Sequence, residues 1–485
     1  MRRRRTIYFN DARHYYLFVF EPPMTLEDAW RPIDEAAGTA VDTFAYGVER
    51  GDGLFYPSKV GMRFKYGGDD TEFGLSAYWR AWHNMQSLID RGLDPLTVLI
   101  DRAHDKGMDF IASLRVPSYL NMDPTLKVDS GGRGFMHAEV RDHQFAVLEE
   151  LATEYSTEGV ELDFVPGMSA YFTPEDVEEG KPVMTEWVRK VSGMVRSRAG
   201  GAGIVGARVY PTEAMNLAAG LDVRTWLQEG LLDYVMPMIY AYMVIDTNMP
   251  IDWLIEAAHA ADTSVYPLLH PFSREGERAY ATPAMMRAAA ANYWERGADG
   301  TCTWFLRWPL GDAERSILTE LGDPELAKEN DKHYVLTRRG KTLEELDYET
   351  PLPVEIASSD TGRRHGIPFY LADDIQGAGD RIRQIRLKIN IRDLVSEDRL
   401  SMLLNGQSLS NETCRRDYGG AIAPYVGQWL EFQLENVRPR QGANLLEISL
   451  DRRAGGLVSP LSVDEVEIIV EYGPYPSGLD QARPS

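Results

Sequence analysis

The chain has 485 residues, enough for two or three domains with their own cores, and its 44% apolar content reads as ordinary globular protein with nothing approaching a membrane span. The 51 basic and 74 acidic groups give a formal charge of -23, spread along the chain, which repels phosphate backbones and acidic membrane surfaces. That argues against nucleic acid or a membrane as partner and for a neutral or cationic small molecule.

Taken from the N-terminus, the Arg2 to Arg5 run reads as a short solvated tail. The TIYFNDARH that follows has no uninterrupted apolar region or small-residue cleavage site, so a cytoplasmic location is expected. Eight apolar β-type runs then alternate with helical patterns: 15–20, 41–46, 109–114, 160–164, 204–209, 234–239, 264–269 and 300–305. Helix starts are signalled between them by Thr25-Leu-Glu-Asp, Asp94-Pro95, Glu139, Thr185-Glu186, Asp222, Pro250-Ile-Asp and Thr282-Pro283. Largely apolar strands alternating with helices predict a parallel sheet, and eight such units predict a closed α/β architecture, the (β/α)8 TIM barrel. A doubly wound open sheet is the competing topology, but no Gly-rich dinucleotide fingerprint follows the first run. After the second run comes a long loop, 49–82, rich in aromatics and glycine, and loops of that length are usually functional.

Beyond residue 325 the pattern changes. The expected organisation is a barrel over 1–325, a polar linker over 326–345 and an antiparallel, jelly-roll-like β-sandwich over 346–485. The sandwich rests on β-type runs at 382–391, 400–404, 429–434, 444–450 and 463–470, separated by turns such as Asn405-Gly406.

Chemistry in a (β/α)8 barrel sits at the C-terminal ends of the strands. The residues expected there are Glu21, Glu49, Arg115, Glu161 and Asp163, then Arg208, Tyr210, Glu213, Tyr240, Tyr242, His270, Trp304, Arg307 and Trp308. Carboxylates and guanidiniums bind hydroxyls, and aromatic faces stack on pyranose rings, so this rim suits a saccharide. In the stretch EGVELDFVPG, Glu161 and Asp163 share one face of a strand. Asp163 is the first candidate for nucleophile or electrostatic stabiliser, against a structural salt bridge to Arg115 or Arg208. Glu213 is the first candidate for the acid/base, and Glu161 the second. Arg115, Arg208, Tyr240, His270, Trp304 and Arg307 are the candidate substrate contacts, while Glu21 and Glu49 read as solvated rim residues. Nine histidines without an HxH or HExxH pattern give no sign of a metal. With Cys302 and Cys414 the only cysteines, far apart in sequence, neither a disulfide framework nor a CxxC site is expected. No organic cofactor is expected either.

The segments DTFAYGVERGDGLFYPSKVG, GLDPLTVLIDRAHDKGMDFIASLRV, GVELDFVPGMSAYF and GLDVRTWLQEGLLDYVMPMIY resemble, in that order, the family 10-like glycosyl hydrolases, over about residues 10 to 310. Leu403-Leu404-Asn405-Gly406 and Gly442-Ala-Asn-Leu-Leu resemble the usual C-terminal partner of that group. Family 10 xylanases carry an Asn-Glu pair after strand four, whereas the only Asn-Glu pair here is Asn411-Glu412, in the expected sandwich. More distantly, the fourth and sixth runs resemble family 18 chitinases, with Glu161 and Asp163 on the two inner acidic positions of the strand-four motif and Tyr240 on the tyrosine. Val165 stands where that family has its catalytic glutamate. The resemblance implies a glycoside hydrolase acting on an oligo- or polysaccharide. The alternatives are a non-catalytic carbohydrate-binding protein on the same barrel, or a lyase or isomerase whose rim arginines hold a sugar acid.

Overall fold

A computed structural model describes residues 2–11, 17–50, 53–64, 72–117, 124–128, 134–165, 171–197, 203–240, 243–274, 279–417 and 427–473. The chain divides into two compact units. One comprises 1–243, 250–271 and 297–322; the other comprises 244–249, 272–296 and 323–485.

The first unit is built on a parallel sheet with helices between its strands. The strands are β1 Arg5–Asp11, β2 Thr43–Gly47, β3 Asp109–Arg115, β4 Gly159–Asp163, β5 Ile204–Val209, β6 Tyr234–Pro237, β7 Ser264–Val265, β8 Leu268–Leu269 and β9 Gly300–Trp304. They are joined in the order β8-β9-β1-β2-β3-β4-β5-β6-β7, so the path starts and ends on strands separated only by Tyr266-Pro267. Proline has no N–H to give a ladder, which accounts for the expected single run 264–269 appearing as two short strands. Helix starts follow the chemistry of the caps. Asp94 accepts from the N–H of Leu96, with Pro95 at the first helical position; in the second unit, Thr282 accepts from that of Met285, with Pro283 at the first position of helix Pro283–Glu295. Helix Val177–Arg196 begins well before the expected Thr185 and carries Pro182 inside its first turns.

The first strand differs most from expectation. It lies over Arg5–Asp11 rather than 15–20; residues 12–16 lie outside the described set, and 17–20 form turns. Arg5 is therefore no part of a solvated tail. Its buried guanidinium donates to Thr43 Oγ1 at 2.5 Å and Asp109 Oδ2 at 2.6 Å, which offsets the loss of water.

Register then decides which side chains meet. Asp11, Gly47, Ser113, Glu161, Gly206 and Tyr234 form one row across β1 to β6, and Arg115, Asp163, Arg208 and Met236 form the next row toward the strand ends. The two glycines make space for their neighbours. A Cβ on Gly47 would lie 2.8 Å from Asp11 Cβ, and one on Gly206 would lie 1.9 Å from the Tyr234 ring.

The second unit is antiparallel. Its strands are β10 Lys332–Val335, β11 Val354–Ile356, β12 Arg364–Leu371, β13 Ile382–Arg392, β14 Arg399–Leu404, β15 Gln407–Ser408, β16 Thr413–Asp417, β17 Gln428–Gln433, β18 Gly442–Arg452 and β19 Leu461–Tyr472. One sheet runs β10-β19-β13-β17-β16, with β11 also on β19, and the other runs β12-β18-β14-β15. Alternation makes the core: Ile385, Leu387, Ile389 and Ile391 of β13 join Ile367, Leu446 and Ile448 of the other sheet in one buried cluster. The intervening Arg386 and Lys388 pair outward with Glu431, Glu467 and Glu471. Within 326–345, where a linker was expected, β10 pairs with β19 and a short helix spans Lys341–Glu345.

Gly206→Ala tests the row geometry. The Tyr234 ring is tethered through its hydroxyl to Glu161 and has nowhere to retreat, so overpacking should cost about 1–3 kcal/mol in urea unfolding. Unchanged stability would show that the row repacks freely.

Candidate functional site

At the C-terminal ends of β1, β3, β4 and β5 the two rows assemble alternating charges. Asp11 accepts from Arg115 Nη2 at 2.5 Å, and Arg115 Nη1 donates to the Glu49 carbonyl at 3.2 Å. On the neighbouring strands, Ser113 Oγ, Arg208 Nε and Tyr234 OH donate to Glu161 at 2.7, 2.6 and 2.9 Å. Both side chains of the Glu161–Arg208 pair are fully buried. Glu161 is thus saturated by donors from three strands, which gives it a structural place.

Asp163 is held differently. Its Oδ1 accepts from the backbone N–H of Val165 at 3.1 Å, while the guanidinium nearest Oδ2 is Arg208 Nη1, at 3.9 Å. Burial raises its pKa above the ordinary carboxylate value. The Arg208 and Arg115 guanidiniums oppose that shift, and Glu161 reinforces it. Nη1 and Nη2 of Arg208 make no hydrogen bond among the described residues.

Aromatic groups close the other side. Arg208 lies 3.8 Å over the Phe9 ring, and Phe9 packs against Trp304 with centroids 6.1 Å apart. Trp304 Nε1 donates to His270 Nδ1 at 3.2 Å, so the proton of that imidazole sits on Nε2, which has no partner among the described residues. Burial alone lowers the His270 pKa to about 3, and the ring stays neutral at physiological pH. Tyr240, half-buried, packs tilted against Trp304 with centroids 5.3 Å apart, and Arg115 lies 6.0 Å from its ring centre. Burial, with Asp163 adding to it, pushes the Tyr210 hydroxyl up to about 12.

The structure therefore brings Arg115, Glu161, Asp163, Arg208, Tyr240, His270 and Trp304 to one end of the sheet. It places Glu213 elsewhere: at the start of helix Glu213–Ala218, its carboxylate takes two hydrogen bonds from Arg224, at 2.6 and 2.9 Å, and that pairing lowers its pKa. Arg307 is exposed, and Trp304, expected as a stacking face, is fully buried among other rings. Glu49 is buried rather than solvated, Glu21 is an exposed partner of Arg80, and Tyr242 lies outside the described residues. Sequence reasoning missed Asp11, the partner of Arg115. The available signal was the alternating RTIYFND, which ends on an acid just as VELD does. Among the described residues no group of three or more His, Cys, Asp or Glu side chains is placed to hold a metal. No described helix is long and apolar enough to cross a membrane.

No family model matches the chain, and no curated protein does. Solved structures that match include the following three. The α-L-fucosidase from Vibrio sp. strain EJY3 has 10% identity and a TM-score of 0.41, with 96% of each chain covered. A glycoside hydrolase family 18 N-acetylglucosaminidase from Paenibacillus barengoltzii has 12% identity and a TM-score of 0.38, over 66% of this chain and all of that one. The cycloisomaltooligosaccharide glucanotransferase of Paenibacillus sp. has 10% identity and a TM-score of 0.36; this chain spans only 57% of its length. Similarity at this level assigns no chemistry to individual residues.

Two stability measurements test the assigned electrostatics. Glu161→Gln leaves Arg208 buried without its counter-charge and should cost about 3–5 kcal/mol, against little loss if the pair is dispensable. Asp163→Asn should act in the opposite sense. A carboxyl whose pKa is raised by folding loses stability as pH rises through the window between its unfolded and folded values. The Asn variant should therefore be more stable than the native protein at neutral pH, and the difference should vanish below the ordinary aspartate value of 3.8. An advantage that persists in acid would contradict the assignment.

Proposed function

We propose that the first unit is a glycoside hydrolase in which Asp163 is the reacting carboxyl, carried by a sheet that closes as a (β/α)8 barrel. Closure would follow from β7 and β8 being two halves of one strand, since they are the two ends of the path and Tyr266-Pro267 alone separates them. The second unit would be a jelly-roll-like sandwich, either carbohydrate-binding or stabilising the barrel.

The observation that carries the reading is the contrast between the two acids of β4. Glu161 has three donors, whereas among the described residues Asp163 Oδ2 has only a distant guanidinium and sits in surroundings that raise its pKa. A carboxyl whose pKa is raised suits donation to a leaving glycosidic oxygen better than nucleophilic attack. Hydrolysis needs a second carboxylate, and Asp11, held by Arg115 in the register row beside Asp163, is the candidate for it, whereas Glu213 is paired with Arg224 at a helix start. Asp163 would protonate the departing oxygen while Asp11 supports the developing oxocarbenium charge or the attacking water. His270, neutral and with Nε2–H unpartnered, would donate to a sugar hydroxyl. Arg115 already holds Asp11, so the sugar-acid reading would rest on the terminal nitrogens of Arg208.

A second reading has its own observation. Asp163 has a side-chain exposure of 2%, and Val165 occupies the place of the chitinase-type glutamate, which fits a barrel that binds saccharide without cleaving it. Turnover of aryl glycosides decides between them. On the hydrolase reading, Asp163→Asn should lower kcat about a thousandfold with binding retained. Saccharide binding by the native protein with no turnover would establish the second reading, and a fully active Asn variant would remove Asp163 from the chemistry.

A further inference from the structure

We propose that the second unit carries a separate binding site for a uronic-acid-bearing saccharide, in the groove between the loop at 374–379 and the loop at 438–441. The groove measures about 610 Å³, within the range of small-ligand sites, and is lined by Asp374, Gln376, Arg438, Arg440 and Gln441 together with Ile375, Gly379 and Pro439.

Its arginine wall is built in advance. The buried Glu412 carboxylate accepts from the backbone N–H groups of Glu435, Asn436 and Val437, at 2.7, 2.9 and 2.7 Å, fixing the chain just before Arg438. The buried Asn444 side chain accepts from the Arg440 N–H at 2.9 Å and donates to the Arg440 carbonyl at 2.7 Å, fixing the chain just after it. Gln441 Nε2 reaches the Ala372 carbonyl at 3.2 Å and ties this wall to the strand leading into the opposite one. There Asp374 caps the helix Ile375–Ala378 by accepting from the N–H of Gly377 at 2.8 Å. Two buried polar side chains that serve one exposed loop preorganise it, which lowers the ordering cost of binding.

The lining also selects the ligand class. Arg440 uses Nε on the Ala443 carbonyl, at 2.9 Å, and both Arg438 and Arg440 are exposed, without an ion pair among the described residues. In a chain of net charge -23, two such guanidiniums on one groove are a concentrated positive site. Guanidinium forks match a planar carboxylate, while Asp374 and the two glutamines match hydroxyls. Among the described residues no aromatic ring lines the groove, and so none offers the stacking that holds a neutral pyranose.

Calorimetry on the full-length chain tests this with oligogalacturonate, a neutral oligosaccharide of equal length, and inorganic phosphate. The uronate should bind, weaken with added salt, and lose about tenfold or more in affinity in Arg438→Gln and in Arg440→Gln. A loss confined to the arginine variants assigns the binding to this groove. The proposal is overturned if the uronate does not bind, if the neutral sugar or phosphate binds as tightly, or if the arginine variants are unaffected.

Discussion

The first unit is organised around the buried Glu161–Arg208 ion pair. Taking both charges out of water is expensive, and a well-packed apolar pair would often be as stable. The pair persists with Ser113 and Tyr234 completing the carboxylate, so both oxygens of Glu161 meet a donor. Its consequence is orientational. With Nε fixed on Glu161 and its plane laid over Phe9, Arg208 has one direction left for its terminal nitrogens, and Asp163 lies on that side.

Glycine placement makes the arrangement physically compatible with a packed sheet. Gly47 and Gly206 stand in the same register row as Asp11, Glu161 and Tyr234, and a methyl group at either position would collide with a neighbour the charge network needs. The polar row is therefore specified as much by where side chains are omitted as by where acids stand. Cys302, buried beside this pair, has its thiol pKa raised by that burial, which keeps it protonated and adds no charge to the cluster.

Much of this was legible in the sequence, and the reasons for the rest are local. Period-two alternation located β2 to β6 and β9 to within a few residues, because apolar strands between amphipathic helices leave few alternatives. It failed at β1, where an Arg run resembles a tail unless Asp109 and Thr43, 104 and 38 residues downstream, are known to receive Arg5. Missing β1 also hid Asp11. Strand periodicity showed that Glu161 and Asp163 share a face, but it could not show that one is saturated and the other is not, since Ser113, Arg208 and Tyr234 converge from three other strands. Glu213 was attractive from its position after β5; its carboxylate was claimed by Arg224, eleven residues on and across a helix boundary that sequence spacing does not resolve.

The two units reach for the same solution with different parts. In the first, a buried acid and a buried guanidinium orient the groups around Asp163; in the second, buried Glu412 and Asn444 orient backbone around Arg438 and Arg440. Buried polar side chains are costly unless satisfied; Glu412 and Asn444 are satisfied by the segment they position, and Glu161 by donors from three strands. Asp163 differs, since among the described residues its side chain is held by a single backbone N–H. Its raised pKa follows from burial, which the Arg208 and Arg115 guanidiniums offset only in part.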